Sequence, residues 1–151
     1  MAISITVGTN SYISLADAEI YFEGRLNSGS WDDASEDNKN RALVSATRNI
    51  DRQFLEGEKY SSDQILEFPR TIDETTTIPT SVEEATCEEA ISQLEEGYQI
   101  KKDIRDGLKS KKVGDMSKSY NSNTSRSGTR LYSSEATSFL KSYLKRTVRF
   151  R

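Results

Sequence analysis

Leu43, Ala46, Ile50 and Phe54 recur every three or four residues behind Ser35, and no other pattern in the chain limits its fold so tightly. That interval is the period of an amphipathic helix. The stripe therefore predicts a helix over about 36–55, with Ala42 and Thr47 at its edge. Ser35 supplies an N-cap, and Glu36 and Asp37 set negative charge against the positive end of the helix dipole. A second segment repeats the pattern after Pro79. Val82, Ala85, Cys87, Ala90, Ile91, Leu94 and Tyr98 predict a helix from Thr80 or Ser81 to about 105.

Two shorter helices complete the set. Ser14 with Asp17 three residues later resembles a capping box and opens a helix over about 15–26. Leu15, Ala18, Tyr21 or Phe22, and Leu26 form its apolar side, and Asn27-Ser28-Gly29 stops it. Near the C-terminus, Tyr132-Ser133-Ser134-Glu135 starts a last helix with Ala136, Phe139, Leu140, Tyr143 and Leu144 on one side.

The rest reads as connections. Ile3, Ile5 and Val7 alternate with Ser4 and Thr6 in a short strand pattern that Gly8-Thr9-Asn10 breaks. Trp31 opens a polar stretch, and 57–79 is irregular, with Phe68 extended before Pro69. Alternation around Gly114-Asp115 predicts a weak hairpin or extended arm, and Asn121 to Gly128 a flexible tip. The expected fold is mainly α, a small bundle of three longer helices plus a C-terminal helix, with a short extended arm or β-hairpin. Its expected organisation is a helical body over 1–105, an arm over 106–130, and a C-terminal helix with a basic tail over 131–151.

Charge is divided by position. Residues 1–99 carry 7 Lys and Arg against 20 Asp and Glu, whereas residues 100–151 carry 14 against 4, so a net of −3 hides −13 and +10. Such a division speaks to association with an acidic partner or with further copies of the chain. Paired glutamates at 83/84, 88/89 and 95/96 read as a solvated helix side, because adjacent carboxylates on a helix do not face each other. A hydrophobic content of 34% supports a modest core, with surface left for partners.

Several functions are disfavoured. The chain has no histidine and one cysteine, which removes a Ser-His-Asp triad and the usual zinc sets. No Gly-Lys-Ser/Thr follows the widely spaced Gly24, Gly29 and Gly57, so a phosphate-binding loop is absent. Cys87 lies within an apolar helical stripe and is read as core. We expect no enzyme and no cofactor. No apolar run approaches the ~20 residues of a membrane span and no secretory signal stands at Met1, so an intracellular, soluble protein is expected. Tyr120, Tyr132, Phe139, Tyr143 and Phe150 interleave with the basic residues, as in proteins that stack single-stranded nucleic acid. Docking to an acidic protein surface is the favoured alternative, because the −13 elsewhere repels phosphate.

The order of segments also resembles a known family. Tyr12-Ile-Ser-Leu-Ala-Asp-Ala-Glu-Ile-Tyr-Phe, Trp31 before an acidic turn, and Ala42-Leu-Val-Ser-Ala-Thr-Arg-Asn-Ile-Asp-Arg are similar to the head–tail connector (adaptor, or head-completion) proteins of tailed bacteriophages. Leu66-Glu-Phe-Pro-Arg, Ile78-Pro-Thr-Ser-Val-Glu-Glu-Ala-Thr-Cys-Glu-Glu-Ala, Val113-Gly-Asp and Tyr143-Leu144 follow in the same order. Some relatives carry a label of likeness to a single-strand-binding primosomal protein. The resemblance implies a structural virion protein, made in the host cytoplasm and placed at the head–tail junction. It would form a ring, usually of twelve copies, beneath the portal, and offer a platform for a neck, stopper or tail protein. Duplex DNA would pass through without specific binding. On this reading Tyr143, Leu144, Arg146, Arg149, Phe150 and Arg151 grip the portal or a neighbouring subunit. The alternative is a single-stranded nucleic-acid-binding module that uses the basic C-terminal third.

Overall fold

The computed structural model describes residues 2–96, 98, 99, 102, 110–113, 116–119 and 131–145. Five helices stand in it: α1 (Leu15–Glu23), α2 (Gly29–Asp32), α3 (Glu36–Asp51), α4 (Thr80–Leu94) and α5 (Ser134–Phe139). A 3-10 turn covers Thr71–Asp73, and β1 (Ser110–Val113) pairs antiparallel with β2 (Met116–Ser119). Val113 opposes Met116, which leaves the two-residue connection expected of a hairpin. The fold is mainly α, a small helical bundle. The proposed tip at 121–128 lies outside the described residues.

Local capping sets where three helices begin. Ser14 Oγ accepts the Asp17 amide at 3.1 Å, Ser35 Oγ that of Asn38 at 3.2 Å, and Ser133 Oγ that of Ala136 at 3.1 Å. Helix ends follow the sequence less closely. Helix α1 stops at Gly24, which leaves Leu26 87% exposed rather than on the stripe. Helix α3 stops at Asp51, so Phe54 falls outside its apolar face and is 72% exposed. Helix α4 ends at Leu94 rather than near 105, because Glu95 turns to an extended conformation.

Helix α4 is the centre of the bundle and packs against α1, α2, α3 and α5. One apolar cluster gathers Tyr12, Ile50, Phe68, Val82, Leu140 and Tyr143. The other gathers Phe22, Trp31, Leu43, Cys87 and Ile91. Trp31 sits on the short helix α2, not in a polar loop, and is fully buried with its ring stacked on Phe22 at 4.2 Å. Its indole N–H donates to Glu19, whose other carboxylate oxygen holds Lys39.

Residues 2–7 do not form a strand. Several of their backbone groups are taken by side chains instead: Asp37 accepts the Ile3 amide, Asn40 donates to the Ile3 carbonyl, and Asn10 bonds both Thr6 and Ser4. The 52–79 segment is irregular and is organised by Arg70, itself buried, which donates to the carbonyls of Glu56 and Gly57 and to the Glu67 carboxylate. Gly57 has φ +74°, and a Cβ there would lie 3.0 Å from Ile72 Cγ2, so glycine is required on two counts.

Candidate nucleic-acid interface

Encirclement of α4 forces its polar residues to find partners inside the fold, because an unpaired buried carboxylate is costly. Glu88 and Glu89 are 4% and 0% exposed, so they do not form the solvated side that their sequence predicts. Glu88 is held by a two-pronged Arg25 pair at 2.8 and 3.0 Å and by the Tyr21 hydroxyl at 2.6 Å. Burial and the neighbouring Glu88 charge push the Tyr21 phenol pKa up.

Glu89 faces the C-terminal segment. Its carboxylate accepts the backbone amides of Tyr132 and Ser133 at 3.0 Å and the Asn49 side-chain amide at 3.0 Å. One buried group thereby joins α3, α4 and the start of α5. The Tyr132 ring also meets Tyr98 edge-on, with centroids 5.1 Å apart. The two ends of the 99–131 stretch therefore lie side by side, at a common foot. In sequence that stretch carries nine Lys and Arg against three Asp. Within it Lys111 opposes Lys118 and Lys112 opposes Ser117 across the β1–β2 pair.

Beside this foot lies an open groove of about 230 Å³ between α3 and the end of α4. Asn38, Arg41, Ala42 and Ser45 recur along one face of α3, while Gln93, Leu94 and Tyr98 close the other side. Arg41 is tied to Asp37 at 2.8 Å.

A second polar centre lies away from the groove. Tyr12 donates a hydrogen bond to Asp51 and accepts the Phe68 amide at 3.3 Å. Burial raises the Asp51 carboxyl to about 6, and the Glu67 charge adds to this; the Tyr12 bond and Lys59 act the other way. Cys87 is buried in the core, where burial raises its thiol pKa and removes thiolate character. Ser138 and Lys141, and Ser142 and Lys145, have a Ser-x-x-Lys spacing; all four are exposed on the C-terminal segment. Among the described residues no group of three or more Cys, Asp or Glu gathers to hold a metal. Nor is any described helix long and apolar enough to cross a membrane.

Of the residues expected to bind a portal, two are described. Tyr143 is buried edge-on against Phe68 and donates to Asp73 at 2.6 Å. Leu144 is half-buried in an antiparallel bridge with Leu55. Arg146, Arg149, Phe150 and Arg151 lie outside the described residues.

The family model described as "Putative DnaT-like ssDNA binding protein" matches residues 3–150. The chain belongs to this family. No curated protein and no solved structure matches it. Membership over nearly the whole chain overturns the resemblance to phage head–tail connectors, and with it the ring, the portal and neck partners and the passive duplex channel. The −13 of residues 1–99 does not repel phosphate from the whole molecule. Charge acts over about a Debye length, ~10 Å, so a basic segment can meet an anion while a distant acidic face does not interfere.

Proposed function

We propose that this chain binds single-stranded DNA, as a binding protein rather than an enzyme, through the basic stretch between Tyr98 and Tyr132 and the groove at its foot. The observation that carries the reading is the family match over residues 3–150. Two features support it. Nine cationic residues fall in the sequence between Tyr98 and Tyr132, whose two ends are held together by Glu89 and the Tyr98–Tyr132 contact, and cations suit the tracking of a phosphate backbone. Lys111 and Lys118, two cations of the same stretch, stand at opposed register positions of the β1–β2 pair.

The test is binding of the full chain to a labelled oligonucleotide across a salt series. Single-strand binding should weaken linearly in log–log form, with a slope of about −0.7 per neutralised phosphate. A Lys111→Ala/Lys118→Ala variant should bind more weakly and flatten the slope by about 1.4. Absence of binding at low salt, or equal affinity for duplex of the same length, would refute the proposal.

A further inference from the structure

We infer that the groove between α3 and the end of α4 is a subsite for one nucleobase of a bound strand. This rests on the single-strand reading and adds where a base sits. The space, about 230 Å³, is smaller than the ~300–1,000 Å³ of sites for drug-sized ligands, and suits a single flat ring. Its surfaces match a base. Ala42 and Leu94 are apolar, and Tyr98 offers an aromatic ring steadied by its edge-on contact with Tyr132. The amides of Asn38 and Gln93 both donate and accept hydrogen bonds, as the edge of a base requires.

Charge decides against an anionic occupant. The cation of the groove, Arg41, is already paired with Asp37. A phosphate or an acidic peptide would have to displace Asp37 from Arg41, whereas a neutral ring need not. The phosphates are left to the cation-rich sequence between Tyr98 and Tyr132. One base sits in the groove, where the Tyr98 ring supplies the stack.

The experiment compares the full chain on an oligo-dT of about 16 nucleotides and on an abasic strand of the same length, at one salt concentration. Wild type should prefer oligo-dT. Tyr98→Ala should lose about 5- to 100-fold on oligo-dT, the range of one lost stack, and change little on the abasic strand. Tyr98→Phe should retain the preference. Ser45→Leu, which fills the groove from the α3 side and leaves Tyr98 intact, should reproduce the loss while the thermal transition stays in place. Oligo-dT binding unaffected by both Tyr98→Ala and Ser45→Leu overturns the subsite and leaves single-strand binding standing. Failure of wild type to bind either strand overturns both.

Discussion

The carboxylate of Glu89, on the central helix, accepts the backbone amide of Ser133, 44 residues away in sequence, at 3.0 Å. The same group takes the Tyr132 amide and the Asn49 side chain, so a single side chain holds the return of the basic stretch. Glu89→Gln keeps the shape but removes the charge and turns an NH₂ toward donors. It should destabilise the fold by about 2–4 kcal/mol in urea unfolding. Amide exchange at Tyr132 and Ser133 should quicken more than at α3. Unchanged exchange there would show that Glu89 is not the clasp.

The Arg25–Glu88 pair makes a different prediction, because both partners are held in a nearly closed site. Arg25→Met leaves the buried Glu88 with the Tyr21 hydroxyl alone and should cost about 3 kcal/mol. Removing both charges, in Arg25→Met/Glu88→Met, should cost less than that single change, since no uncompensated carboxylate remains. A double-mutant cycle measures the coupling. Simple additivity would mean the pair is screened as a surface pair would be.

Asp51 introduces a pH dependence. Its carboxyl titrates near 6 in the fold and near 3.8 when unfolded, so the folded state binds the extra proton between those values. Stability should therefore fall as pH rises from about 4 to 6, and level off above. Partial exposure limits the effect to the order of 1 kcal/mol. Asp51→Asn should flatten the curve across this window, as read by urea midpoints at several pH values. A midpoint that climbs over the same window in wild type but not in the variant would reverse the assignment.

Helix starts were legible because capping is local. Ser14, Ser35 and Ser133 each reach an amide three residues on, and the spacing of Leu43, Ala46 and Ile50 reports one helix face without reference to the remainder of the chain. The charge division was equally plain. Its meaning for binding was not, because a sum over 99 residues says nothing of which charges are neutralised locally. Glu88 and Glu89 are bound to Arg25 and to backbone amides, so neither contributes a free negative surface.

The candidate groove was not legible at all. Asn38 and Gln93 belong to ordinary polar positions of two helices, and only the α3–α4 packing brings them to one cleft with Tyr98. No short-range signal encodes that meeting. By itself, then, the sequence determined the helical class, the capped helix starts and the placement of cationic residues late in the chain. Tertiary structure alone decided that α4 would be surrounded, that Glu88 and Glu89 would turn inward as clasps, and that Tyr98 would meet Tyr132. The physical reason is range: caps and periodicity act within a turn or two of helix, whereas burial depends on which elements close around a helix from every side.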